Sequence, residues 1–243
     1  MKIRVMSYNT QSGFANGREI YNYAAQADHI AANNPDIVAL QEVAINHPAA
    51  EEKVDYPAAV AKRLGMEYCY AKALDFAGCD GKYGVAILSK YPMEKLAEIK
   101  LPVPEGIEPR VAVVARIAAP VPFYMVSTHL SFQGEFEGDG EGRIEQLKTI
   151  FRYLDENQCY PVLLAGDLNS QPQDGSIQAL REKFEVFNDG RDDRPTAYSR
   201  KFGWVQIDYI AGAPAGRCKC EQFTRGDDCT VSDHYAVMAD LEL

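Results

Sequence analysis

Residues 159–172 read CYPVLLAGDLNSQP: an apolar run, VLLA, is bounded by Pro161 and Gly166, meets Asp167, and Asn169 follows two residues on. A short, dense apolar run between turn residues reads as a central strand buried on both faces. Side chains alternate along an extended chain, so Asp167 and Asn169 share one face at its end. The preceding segment, 143–156, places Ile144, Leu147, Ile150, Phe151 and Leu154 on one helical face. An amphipathic helix followed by such a strand predicts a sheet covered by helices.

The pattern has an earlier echo. Ile20, Tyr23, Ala24, Ala27, Ile30 and Ala31 form a helical face that Asn33-Asn34-Pro35 stops, and NPDIVALQEV follows at 34–43. Each half is thus a helix, a turn containing proline, an apolar strand and an acidic residue. A third, shorter helix is expected to start near Pro57 and end at Gly65. Strand-like segments recur at 2–8, 36–41, 84–89, 110–117, 122–128, 161–166, 204–211 and 235–241. If two such halves pack sheet on sheet, with helices outside, their strand ends converge on one cleft.

The 243 residues are 47% hydrophobic, enough for one large core. No linker or low-complexity run divides them, so one domain spanning 1–243 is expected. No apolar run approaches bilayer length, which excludes a transmembrane helix. In MKIRVMSYNT, Ile3 and Val5 alternate with Lys2 and Arg4, an apolar stretch too short for a signal-peptide core that reads as the first strand; the cytoplasm is the expected compartment, with a removed secretion leader as the alternative. The net charge of −10, from 35 acidic and 25 basic side chains, disfavours long duplex nucleic acid as a partner. The six cysteines include no Cys-x-x-Cys pair and are read as reduced thiols. Cys218, Cys220 and Cys229 lie close in sequence, but no nearby His completes a zinc set.

Six segments put polar groups at or within apolar strands. SYNT carries Asn9, ALQEV Glu42, STHLSF His129, AGDLN Asp167 and Asn169, VQIDYIAG Asp208, and TVSDHYAV Asp233 and His234. Singly, each has a structural explanation: a turn closed by Asn, a solvated strand end, a hydrogen-bonded core histidine. Together they imply a site, because buried carboxylates are costly without partners. Asp208, between Ile207 and Tyr209-Ile210, demands a buried partner such as His234.

In this order, LQEV, YGVAILSK, THLSF, GDLNSQP, IDYI and SDHYAV resemble the endonuclease/exonuclease/phosphatase superfamily of metal-dependent phosphoester hydrolases over nearly the whole chain. The resemblance implies a four-layer α/β/β/α sandwich. It implies a hard divalent cation, Mg²⁺ with Mn²⁺ as the alternative, on Glu42, with Asn9 and Asp233 contributing directly or through water. It further implies that Asp167 deprotonates the attacking water, that Asn169 fixes water or phosphate, and that His234, oriented by Asp208, donates to a phosphoryl oxygen. His129, in place of the Tyr of abasic-site endonucleases, is similar to deoxyribonuclease-I-like enzymes, sphingomyelinases, inositol-phosphate phosphatases and deadenylases; it would protonate the leaving alkoxide or stabilise the transition state. Tyr83 and Arg110 are substrate-binding candidates, each with an alternative reading as strand packing or a surface strand residue.

The loop QGEFEGDGEG after His129 carries Glu135, Glu137, Asp139 and Glu141, where a nuclease would profit from basic residues. Arg200, Lys201 and Trp204 offer contacts for one phosphate and one base or sugar. The expected substrate is therefore a small phosphorylated one: a phospholipid headgroup, sugar phosphate or short nucleotide. A nuclease of the deoxyribonuclease type is the alternative. A non-catalytic binding protein on the same fold is disfavoured by the complete set of candidate groups.

Overall fold

A computed structural model describes residues 1–15, 19–132, 141–199 and 201–243. In chain order the strands and helices begin with β1 (Lys2–Asn9), β2 (Phe14–Ala15), β3 (Ile20–Tyr21), α1 (Tyr23–Asn33), β4 (Ile37–Ile45) and α2 (Tyr56–Leu64). There follow β5 (Glu67–Asp75), β6 (Lys82–Ser89), β7 (Met93–Leu101), β8 (Arg110–Ile117), β9 (Phe123–His129) and α3 (Glu141–Glu156). The chain continues through β10 (Val162–Asp167), α4 (Gly175–Arg181), β11 (Glu185–Val186), β12 (Ala197–Ser199) and β13 (Gly203–Val205). It closes with β14 (Asp208–Ala213), β15 (Lys219–Arg225) and β16 (Val237–Glu242).

Two mixed six-stranded sheets carry the fold, in the orders β15-β16-β1-β4-β6-β5 and β11-β14-β10-β9-β8-β7. Alternation along the strands assigns each residue to a layer. Val5, Ile37, Ala39, Val85 and Ile87 of the first sheet meet Val113, Met125, Leu163, Ala165 and Ile210 of the second in a buried core between the sheets. Met6, Val38 and Leu40 point the other way, against Ala27 and Ile30 of α1 and Val60 of α2. Likewise Val126, Val162 and Leu164 pack outward on Leu147, Ile150 and Leu154 of α3 and on Ile177 and Leu180 of α4. The result is the expected α/β/β/α sandwich, and burial on both faces explains the near-continuous apolar runs. Among the described residues, no helix is long and apolar enough to cross a membrane.

Helix limits follow local chemistry. The Asn22 side chain accepts from Ala25 N–H and opens α1, while Asn34 closes it in the left-handed region at φ 47°. Ile20 therefore lies outside the helix, in β3, and is 49% exposed. Asp55 caps α2, and Gly65 ends it at φ 65°. The run expected as one strand at 204–211 divides instead. Trp204 and Val205 belong to β13, and β14 starts at Asp208. Ile207 N–H and Asp208 N–H both turn to the Thr196 hydroxyl, at 3.0 and 3.1 Å, which takes the chain out of one sheet and into another.

Candidate active site

The register of three neighbouring strands creates the centre of the site. In the β9–β10 parallel pair Asp167 stands opposite His129, and in the β10–β14 antiparallel pair it stands opposite Asp208. Directly paired residues on strands ~4.8 Å apart present their side chains to the same face, so three ionisable groups arrive side by side. Gly166 permits the close approach: a Cβ there would lie 2.1 Å from the Thr128 carbonyl oxygen.

The first sheet supplies the facing groups. Asn9 ends β1 in register with Gln41 of the parallel β4. One extra residue in β4 between Leu40 and Val43 forms a bulge opposite β6, and within it Glu42 adopts φ 51°. A side chain with a Cβ reaches that region only at a cost, of the order of 1 kcal/mol or more. The bulge re-aims Glu42 into the cleft instead of leaving it in the pleat. Asn9 Nδ2 then bridges the halves, donating to Glu42 Oε1 at 3.3 Å and to Asp167 Oδ2 at 3.1 Å, while its Oδ1 accepts from Gln11 N–H at 3.0 Å.

The segment from Ser232 to His234 closes the ring of residues. Ser232 Oγ donates to the Asn9 carbonyl at 2.7 Å, which docks the segment on the end of β1. Exposed Asp233 accepts from Gln11 Nε2 at 2.6 Å. His234 Nδ1 bonds Asp208 Oδ2 at 2.9 Å, and its Nε2 stands 3.7 Å from Asp167 Oδ2. Asn188 Nδ2 holds the Asp208 carbonyl at 3.0 Å. The expected Asp208–His234 partnership is present.

These contacts set opposite charge states on the two histidines. Burial opposes charge on His234, but the Asp208 carboxylate, by field and by hydrogen bond, with Asp167 and Asp233, raises its pKa well above the ordinary value. Burial, then the Arg110 charge and then His234, holds that of His129 well below the ordinary value. The geometry around His129 agrees: Arg110 Nη1 lies 3.1 Å from its Nδ1 and Asn169 Nδ2 lies 3.0 Å from its Nε2. The guanidinium can only donate, so Nδ1 must accept and is unprotonated, while Nε2, which also lies 3.4 Å from Asp167 Oδ2, carries the one N–H of the neutral ring. Burial first, and then the Asp208 charge, pushes Asp167 up to about 7.

Asn169, at φ 49°, also donates to the Leu130 carbonyl at 2.9 Å, and its N–H bonds Asp167 Oδ1 at 2.9 Å. Arg110 is 6% exposed, bound to Glu108 at 2.7 Å as well as to His129, and is thus no surface strand residue. Tyr83 is buried against the cleft; desolvation keeps it a neutral phenol. Arg143 anchors α3 to the loop after Asp167 through Ser170 Oγ at 2.8 Å.

Sequence reasoning missed several supporting residues. Gln11, Asn188 and Thr196 hold the site groups, and Phe132 and Tyr198 line the cleft. Their signal is weak because polar residues in loops are ordinary. Glu135, Glu137, Asp139 and Arg200 lie outside the described residues.

The cleft has a volume of about 1010 Å³ and is lined by Glu42, Tyr83, Arg110, His129, Asp167, Asn169, Asp233 and His234, among others. Asp167, Asp208 and His234 also bring three possible metal-ligand atoms within 4.8 Å of one another. The hydrogen bond that His234 Nδ1 donates to Asp208 occupies one nitrogen of the ring, and a protonated ring has no lone pair to offer on the other, so that trio is better suited to handling protons. The oxygens of Glu42 and Asp233, with the buried and unpartnered Gln11 Oε1 beside them, fit a hard cation such as Mg²⁺.

The family model for the Endonuclease/Exonuclease/phosphatase family matches residues 6–234, and the chain belongs to that family. No protein with a curated description matches it. Among solved structures, an endonuclease/exonuclease/phosphatase from Beutenbergia cavernae is 22% identical with a TM-score of 0.81, over 100% of this chain and 72% of that one. The catalytic domain of human nocturnin with a bound sulfate anion is 18% identical with a TM-score of 0.72, over 99% and 93%. A mannosyl-6-phosphatase from Bacteroides thetaiotaomicron is 16% identical with a TM-score of 0.71, over 99% and 100%. At these identities the likenesses establish the fold.

Proposed function

We propose that this family member is a Mg²⁺-dependent phosphoester hydrolase, with Mn²⁺ as the alternative ion, acting on a small phosphorylated substrate such as a phospholipid headgroup, sugar phosphate or short nucleotide. The observation that carries the reading is the placement of Asp167, with its pKa near 7, between a charged His234 and a neutral His129. Glu42, with Asn9 and Asp233, would hold the cation. When bound, the cation supplies Lewis-acid polarisation of a phosphoryl oxygen and neutralises developing charge.

The chain's own residues do the rest. Asp167 accepts a proton from water as the new P–O bond forms, and a base of this strength suits neutral pH. Asn169 holds the water or phosphate without adding negative charge. His234, kept protonated by Asp208, donates a hydrogen bond from Nε2 to a phosphoryl oxygen. His129 is neutral, which favours transition-state stabilisation over acid catalysis. The departing alkoxide takes its proton from solvent, balancing the one left on Asp167.

The small-substrate reading is supported by charge. Apart from the histidines, Arg110 and Lys201 are the basic residues among the described cleft lining, and Arg110 is already engaged by Glu108. A long polyanion needs a continuous basic track. Six unbridged thiols support the cytoplasm as the compartment. The test is Mg²⁺-dependent hydrolysis of bis-p-nitrophenyl phosphate and a panel of phosphorylated metabolites. Turnover no greater than that of Glu42→Ala would overturn the proposal, and efficient plasmid cleavage lost in Asp167→Asn would replace the small substrate with a nuclease activity.

A further inference from the structure

Seven large hydrophobic side chains are exposed among the described residues, and their distribution is uneven. Phe132, Tyr198 and Trp204 line one wall of the cleft, and a fourth, Phe202, meets Phe132 with ring centroids 6.1 Å apart. Ile20, Tyr68 and Leu96 are the other three. Trp204, the one tryptophan of the chain, is 55% exposed and Tyr198 is 54% exposed. A concentration of exposed rings beside a reactive centre marks a binding surface.

The wall is preorganised and tied to the chemistry. Tyr198 and Trp204 are register partners across the β12–β13 hairpin, with centroids 5.3 Å apart at 69°. Trp204 also meets Tyr235, at 6.1 Å, and the Arg225 guanidinium sits 3.8 Å over the Tyr235 ring. Ala197 forms a β-bridge with His234, so the hairpin is registered directly to the proposed phosphoryl-oxygen donor.

The chemistry of the wall selects among ligands. A lipid chain would call for exposed aliphatic side chains, yet the aliphatic Ile207 of the lining is buried. A sugar needs several polar groups around its ring, and the Ser199 hydroxyl, accepting from the Lys201 and Phe202 N–H groups, both at 3.3 Å, has only its O–H left to donate. What remains is π-surface with one ammonium, Lys201, at the rim. Such a surface stacks a flat heteroaromatic ring and serves one phosphate.

We propose that the β12–β13 hairpin is a nucleobase subsite, so that the substrate is a phosphoester of single-nucleotide size whose base stacks on Trp204 and Tyr198 while its phosphate reaches Asp167 and His234. This rests on the hydrolase reading and narrows its substrate. The test is calorimetric titration of the Asp167→Asn protein, in Mg²⁺, with adenosine 5′-monophosphate and with ribose 5-phosphate, which lacks only the base. The nucleotide is expected to bind more tightly and to quench Trp204 fluorescence to saturation. Adding Trp204→Ala should weaken nucleotide binding by roughly 5- to 150-fold, the range that base–aromatic stacking converts to, and leave ribose 5-phosphate unchanged. Trp204→Phe should restore most of the loss, which separates a ring platform from a folding defect.

Equal binding of the two ligands, binding of neither, or no effect of Trp204→Ala overturns the subsite, even where the parent hydrolyses bis-p-nitrophenyl phosphate in a Glu42-dependent way. A base preference that requires Trp204, in a parent without such hydrolysis, supports the subsite and removes the hydrolase reading instead.

Discussion

The two sheets solve the same backbone problem in different ways. Each contains a parallel pair, β1–β4 or β9–β10, whose ends carry the site: Asn9 beside Gln41 in one, Asp167 opposite His129 in the other. In the second sheet the pleat alone aims the side chains. Asp167, His129 and Asp208 are all buried; burial and then the Asp208 charge raise the pKa of Asp167, and burial and then the Arg110 charge lower that of His129. In the first sheet the pleat is broken, and a bulge with Glu42 at φ 51° turns a half-buried carboxylate towards the cleft. Proton-handling groups gain from a dry, fixed setting, whereas a carboxylate meant for a hydrated cation must stay within reach of water.

The strongest way to break this division is to remove one group from each half. Asp167→Asn and Glu42→Ala should both lower turnover by ~10²–10⁴-fold, the span of a positioned acid–base group. They should differ in calorimetry: Glu42→Ala loses heat of Mg²⁺ binding, and Asp167→Asn retains it. His234→Ala is expected to cost at least ~10²-fold in turnover with a nearly unchanged melting temperature. A large fall in melting temperature with activity intact would assign His234 to structure.

Asp167 also carries a sign. Its folded pKa of about 7 lies above the ~3.9 of an unfolded Asp, so the folded state binds more protons and stability falls as pH rises between those values. With Mg²⁺ chelated, Asp167→Asn should therefore melt at a higher temperature than the parent at pH 8, and at nearly the same temperature at pH 3.

Stability should separate the outer layers less sharply. Ile150→Ala in α3 and Ile30→Ala in α1 each open a fully buried position and should cost ~2–5 kcal/mol by denaturant titration. The greater loss is expected in α3, whose buried face also holds Leu147 and Leu154; that of α1 is completed by Gln26 and Ala27.

The same contrast explains what the sequence disclosed. Strands buried on both faces announced themselves as apolar runs, and the polar residue ending each run located Asn9, Glu42, His129 and Asp167. Edge strands did not: β7, with Glu94, Lys95 and Glu98, and β15, with Lys219 and Glu221, carry charge where no neighbour covers them. The bulge at Glu42 has no sequence signature, since nothing in ALQEV specifies a left-handed residue. Nor does the proximity of Arg110 to His129, which depends on pairing between β8 and β9. Trp204 was visible as a contact, but its companions Tyr198 and Phe132 come from a hairpin register and a strand end that only the folded chain brings together.

The smallest effect concerns the place where the halves are tied at the rim. Asp192, in the segment between β11 and β12, accepts from Arg225 N–H of β15 at 3.0 Å and pairs with Arg194 at 2.6 Å; Arg194 reaches Asp227 at 2.9 Å and the Arg225 carbonyl at 2.9 Å. The network joins the edge of the first sheet to the loop that carries the aromatic hairpin. The Arg194 hydrogen bond, helped by two backbone N–H groups, holds Asp192 down at about 2. Because this value is depressed, the stabilisation is complete above the unfolded pKa of ~3.9 and is lost as pH falls through about 2. Partial solvent screening reduces it to on the order of 1 kcal/mol. Asp192→Asn should accordingly lower the melting temperature at pH 7 and have little effect near pH 2. If the tie also sets the hairpin, the variant should weaken binding of adenosine 5′-monophosphate more than that of ribose 5-phosphate. Equal losses for the two ligands would confine Asp192 to joining the sheets.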